Sequence, residues 1–305
     1  MIRFVVVRLT RAVVVVFGLV VVTFFLSRAV SDPVNIMLPL TASEADRQRV
    51  REQLGLTKPL MEQFFSYIGG LLHGDFGNSI WQSGAALPIV LHHLQPSVLL
   101  ASTAIFLAML IGLPLGFLGG VRPGSWMDRL SSVASAGSVA IPDFWLGIML
   151  ILLFSVEWRL LPTSGYGGIK HLILPAVTLS LRPAGRLARV TREAVLEEMS
   201  KRYVLAARAR GLTMRQVLTR HVLKNTAIAV TTVLGYDFLF VFTGYAAVVE
   251  IVFDWPGVGR LAVEATLNQD VVLVSAIVVV SGLLIAVVNM LMDIGHAAID
   301  RRAAG

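Results

Sequence analysis

The chain contains no cysteine among its 305 residues, which excludes disulfides, thiolate metal sites and cysteine nucleophiles and leaves the redox compartment open. Charge is scarce: 15% of residues are Asp, Glu, Lys or Arg, against about 25% in soluble domains. No G-x-x-x-x-G-K-[ST] phosphate loop, H-E-x-x-H or G-x-S-x-G occurs, so ATP binding through a phosphate loop, zincin chemistry and the serine-hydrolase elbow have no support. Internal repeats and low-complexity segments are missing too. What is abundant is apolar: 56% of residues are hydrophobic and mean hydropathy is +0.76. Such a chain reads as an all-α integral membrane protein, neither a soluble enzyme nor a disordered chain.

Apolar runs near 20 residues suffice to cross about 30 Å of hydrocarbon. Six spans are expected: 9–30, 96–121, 130–156 (interrupted by Asp143), one beginning at His171, 225–249 (with Asp237) and 271–292. The fourth is weak, because Arg182 and Arg186 fall inside it. A signal peptide competes for the first run, but Ser27–Arg28–Ala29 is a poor cleavage site and more spans follow. Segments 1–11, 122–129, 182–224 and 301–305 hold 18 of the 26 basic residues, which places them, and both termini, in the cytoplasm. The net charge of +7 is thus mostly topology, with some attraction to anionic membrane lipid; nucleic-acid binding is the disfavoured reading of the basic run Arg186–Lys224.

The domain reading is an N-terminal span (1–30), an extracytoplasmic segment (31–95) and a five-helix core (96–305) with a cytoplasmic loop at about 190–224. In the outer segment, Thr41 to Leu54 reads as a polar helix capped by Ser43 with Asp46 three residues on, ended by Gly55 and Pro59. Residues 61–72 read as an amphipathic surface helix. Gly112, Gly116 and Gly120, four apart, form a stripe on which another helix can pack closely. His92 and His93 are adjacent, and neighbouring helical side chains do not converge on one metal. Asp143 and Asp237 are formally an aspartate pair for an intramembrane protease, with no motif beside them.

The charges inside the membrane need partners, since each costs on the order of 2.5–3.5 kcal/mol at the bilayer centre. Arg182 and Asp237 lie at similar depths, so a pair between them is geometrically open. Asp143, Arg182 and Asp237 either hold helices together or line a substrate pathway where a zwitterionic solute would meet both signs.

The most informative stretch is YVLAARARGLTMRQVLTRHVLKNT (203–226). Small Ala206, Ala207 and Ala209 admit a partner's groove, Gly211 permits a turn, and Arg208 and Arg210 offer planar donors to acidic groups. On physical grounds a docking knob and a plain amphipathic connector are equally good readings.

This stretch resembles the EAA-type coupling loop of ABC-importer permeases, above all the dipeptide/oligopeptide group, whose version reads Y-x-x-x-A-R-A-K-G-L-x-x-x-x-V-L-x-x-H-x-L-x-N. The eponymous glutamate is absent, with Leu205 preceding Ala206 and Ala207. QLGLTKPL (53–60), GDFGNS (74–79), IPDFWLG (141–147), LPTSGY (161–166), HLILPAVTLSL (171–181) and VVEIVFDWPGVGRLAVEATLNQD (248–270) are similar to the family in order along nearly the whole chain.

The resemblance implies a type I ABC-importer permease fold and a non-catalytic subunit for dipeptide or oligopeptide import at the cell membrane. It implies a second permease, two ABC ATPases carrying ATP and magnesium, and an extracytoplasmic substrate-binding protein, with no cofactor in this chain. Coupling is assigned to Tyr203, Ala206, Ala207, Arg208, Arg210 and Gly211. The alternatives are another small solute, such as nickel or haem, or a self-sufficient secondary transporter, which usually shows an internal repeat.

Overall fold

The computed structural model describes residues 2–30, 43–53 and 55–299, together with Val34, Leu38 and Thr41. Leu54, the expected end of the polar helix, and Arg301 and Arg302, counted for orientation, lie outside the described residues. The fold is helical apart from a two-stranded hairpin, β1 (Asn78–Ser79) with β2 (Gly84–Ala85).

Helix α1 (Ile2–Val30) is followed by α2 (Glu44–Gln53), which starts as expected: the Asp46 amide donates to Ser43 Oγ at 3.2 Å. It ends at Gly55, whose φ of +67° and the Leu56 amide bond back to Arg51 O close a left-handed cap. Helix α3 (Leu60–Leu72) buries Phe64 against Phe17, Phe24 and Phe25 of α1.

Helix α4 (Ala86–Val121) begins ten residues before the expected span, runs through Pro96 and Pro114, and is about 54 Å long at 1.5 Å per residue. The expected third span is instead two helices, α5 (Trp126–Ala140) and α6 (Asp143–Glu157), bent by 100°. Pro142 explains the correction: it keeps Ile141 extended (φ −89°, ψ 121°), out of the helical region.

Helix α7 (Ile169–Ser200) is followed by a short α8 (Arg202–Ala209) and the long α9 (Met214–Val252). Wide π-helical turns interrupt α9 at Leu218–Val222 and Val241–Tyr245. Helices α10 (Val258–Leu267) and α11 (Val271–Ile299) complete the chain.

Among the described residues, α1, α4, α9 and α11 are long and apolar enough to cross a membrane, and α5 with α6 qualify as one bent span. Helix α7 has the length, 32 residues, but is less apolar than the others.

The main seam joins α4 to α7, and the glycine stripe makes it. A Cβ on Gly112 would lie 2.6 Å from Ala184 O, one on Gly116 2.7 Å from Thr191 Cβ, and one on Gly120 2.7 Å from Val195 Cβ. The helices touch backbone to backbone, as small residues allow. Around this seam, Leu100, Ala104, Leu179, Phe253 and Trp255 form one buried cluster, and Val195, Val204, Val217 and Val222 another at the α8 end.

Candidate functional site

Helix α8 is a compact knob between two long helices. Its anchor is Glu198, at the end of α7 and 8% exposed. Tyr203 Oη donates to Glu198 Oε2 at 2.7 Å, Asn225 Nδ2 from α9 donates to the same oxygen at 2.9 Å, and Lys201 pairs with Oε1. Burial works to raise the Glu198 pKa, but the three donors outweigh it and hold the carboxyl below its ordinary value. Tyr203 moves the other way: burial, then its bond to Glu198, pushes its pKa up to about 12.

The exit from α8 is set by Gly211. Its φ is +86°, its amide bonds to Arg208 O, and the Leu212 amide reaches Ala207 O, a Schellman closure with Leu212 packed on the valine cluster. Nothing lies within 4 Å of where its Cβ would be, so the glycine is there for backbone conformation, not for space. Thr213 and Gln216 then open α9 with a reciprocal capping box.

These supports divide the expected coupling residues. Tyr203 and Ala207 are half-buried and hold the knob in place; Ala206, Arg208, Arg210 and Gly211 are exposed. Sequence reasoning missed Leu205, an apolar side chain 67% exposed at the tip, although its place where the family glutamate would stand is a readable signal.

The charges inside the membrane region are paired, but Arg182 and Asp237 are not paired with each other. Arg182 lies 3.8 Å from Asp143, and Asp237 is held by Arg186 at 3.0 Å. Arg182 and Arg186 sit one helical turn apart on α7, so depth alone did not separate them. Each aspartate has a different arginine, an arrangement unlike a proteolytic dyad. Arg182 stacks on Tyr245 and Arg186 on Tyr236. Arg182, Arg186, Asp237, Phe240 and Tyr245 line one small cleft. Among the described residues, Arg182 Nε and Asp237 Oδ2 have no hydrogen-bond partner there.

A second buried glutamate, Glu250 near the end of α9, is fully enclosed. Ser97 Oγ donates to Oε1 at 2.5 Å and the Arg260 amide to Oε2 at 2.9 Å. Ser97 Oγ also accepts from the Val258 amide at 2.8 Å, and Trp255 Nε1 donates to Pro96 O at 3.1 Å. This clasp ties α4 to the α9–α10 loop. The loop was noted by resemblance, but neither Glu250 nor Ser97 was singled out.

A helix-rich core with several helices of membrane length and an exposed basic knob between two of them describes an integral membrane protein. Residues 112–305 match the family described as "Binding-protein-dependent transport system inner membrane component", and residues 1–86 match its N-terminal counterpart. The chain belongs to that family. It is 33% identical over 97% of both chains to the oligopeptide transport system permease protein AppB of Bacillus subtilis. It is 34% identical over 98% of both chains to the glutathione transport system permease protein GsiC of Escherichia coli K12. Its fold is similar to a chain of the MetNI methionine ABC transporter in an inward-facing conformation, with TM-score 0.59 and 20% identity over 70% of this chain and 96% of that one.

Proposed function

We propose that this chain is the permease subunit of an ATP-driven importer of dipeptides or oligopeptides, forming half of the pathway with a second permease. Its family membership and its likeness to oligopeptide and glutathione permeases over nearly the whole chain support this reading. As in those relatives, the chain is a transport component and not an enzyme; ATP and magnesium belong to ATPase partners, and a binding protein delivers the peptide. The fold is the type I importer fold with six crossings, α7 being the fourth, and both termini in the cytoplasm. The division into residues 1–30, 31–95 and 96–305 goes with it.

The observation that carries the mechanism is the knob itself. Leu205, Ala206, Arg208 and Arg210 face outward from a base fixed through Glu198 to both α7 and α9. An ATPase groove closing on α8 moves both helices together, shifting the pathway between two states. Arg182, Asp143 and Asp237 line that pathway: Arg182 and Asp237 through the cleft they share with Arg186, and Asp143 as the partner of Arg182. Unpaired polar atoms at Arg182 and Asp237 and aromatic faces at Phe240 and Tyr245 suit a solute bearing both charges.

The test is co-purification of the tagged chain with its second permease and ATPases. Leu205→Lys and Gly211→Asp are expected to lose the ATPases while keeping the second permease. Retention of both subunits with uptake intact sinks the coupling assignment. Arg182→Gln and Asp237→Asn are expected to assemble but to slow peptide uptake; unchanged uptake makes these charges purely structural.

A further inference from the structure

Where the C-terminal end of α1 meets the first turns of α11, two cavities adjoin. One, about 320 Å³, has polar walls that include Arg28, Lys58, Gln63, Tyr67 and Asp75. The other, about 500 Å³, is walled by Leu19, Val22 and Leu26 of α1 and Val274 and Val278 of α11. Ser27, Val271 and Ser275 line both, so they form one continuous site with a polar head and an apolar tail.

The head is built. Gln63 Nε2 donates to Leu56 O at 3.1 Å and Lys58 O at 2.8 Å, fixing the loop that carries Lys58 over the cavity. Gln63 Oε1 is buried and, among the described residues, has no hydrogen-bond partner. Asp75, the acidic wall residue, is engaged by the Gly77 amide at 2.9 Å. Arg28 lies over the Phe24 ring at 5.6 Å, next to the apolar opening.

We propose that this site holds a glycerophospholipid. Its phosphodiester sits beside Lys58 and Arg28, its polar head group meets Gln63 and Asp75, and an acyl chain lies along the α1–α11 groove. Three observations select this occupant: the polar cavity opens into an apolar one, the cations stand at the polar end, and both walls belong to helices of membrane length. A free phosphate would leave the apolar half of the site without a use. A bound lipid would fill the gap between α1 and α11 as a structural element.

The experiment is lipid extraction and mass spectrometry of the full chain, purified with its partner subunits in mild detergent and washed. A stoichiometric phospholipid is expected. Lys58→Gln removes one cation and is expected to lower retained lipid about fivefold, while Lys170→Gln, an exposed cation elsewhere, leaves it unchanged. Val278→Trp, in the groove, is expected to release the lipid; Val287→Trp, exposed on the same helix, is not. The proposal falls if the washed protein retains no phospholipid, if Lys58→Gln retains as much as wild type, or if inorganic phosphate displaces the bound species. It also falls if Val278→Trp expels the second permease and not the lipid, which would make the groove a protein seam. Should Val278→Trp fail to assemble, the Lys58→Gln arm decides alone.

Discussion

Glu198 and Glu250 are both buried carboxylates joined to α9, one through Asn225 and the other on the helix itself, yet they are satisfied in opposite ways. Glu198 is held by side chains: a lysine, a tyrosine and an asparagine. Glu250 is held by a serine hydroxyl and a backbone amide whose positions the fold dictates. Side-chain donors can be exchanged or released with little disturbance to the backbone, whereas backbone donors cannot leave without the loop. The knob end is therefore the more easily loosened of the two, and the clasp end the more rigid.

Breaking the clasp gives the largest effect. Glu250→Ala strands a buried hydroxyl and a buried amide, and is expected to cost about 3 kcal/mol, read as loss of thermal stability in detergent. Gly257→Ala acts at the same point, since its Cβ would fall on the Glu250 carboxylate.

Next comes the seam joining the two ends. Gly116→Leu drives a side chain into Ala188 and Thr191 and is expected to cost about 2 kcal/mol. A matching loss of α4–α7 cross-linking at engineered cysteine pairs would place the damage there.

Glu198→Gln keeps the shape but loses the charge, with an expected cost of about 1.5 kcal/mol confined to the knob. Hydrogen exchange over residues 201–213 reads it. The same site gives a pH signature. Because the folded pKa of Glu198 is lowered, its stabilisation is complete above the ordinary carboxylate pKa and is lost as pH falls through the folded value. Tyr203, raised to about 12, adds a loss at the other extreme, as pH climbs from its ordinary value of 10 toward 12. The clasp is expected to show neither change in exchange over the range where the knob loosens.

Smallest is Gly211→Ala. The space is open but the left-handed backbone is not free to a side chain, so about 1 kcal/mol is expected, again limited to the knob. A cost spread evenly to the clasp would erase the distinction between the two ends.

Much of this was readable beforehand. The glycine stripe announced its seam because close packing depends on the absence of side chains. Ser43 and Gly55 announced the ends of α2, because caps are local. The bend at Pro142 was also written in the sequence, but an apolar run averaged over 27 residues concealed it. Helix α4 starts ten residues ahead of the apolar run at Pro96, which sits inside the helix beside Trp255, a partner 159 residues away. The charge partners are hidden for a related reason: depth along a helix is local, whereas the choice between Arg182 and Arg186 depends on where α6 and α9 stand. Glu250 was invisible on its own, since its three-way clasp exists only after α4 meets the loop.

Helix α9 runs from the knob to the clasp, 39 residues or about 58 Å. A rod of that length is a lever. Tilting it by about 5° around its middle carries each tip about 2.5 Å, on the same rise per residue. The wide turns at Leu218–Val222 and Val241–Tyr245 lie near its two ends, so the shaft between them is the stiff arm and the turns are where its angle can change. A shift of that size at the α8 end is therefore matched at the far side by one comparable to the radius of the helix backbone.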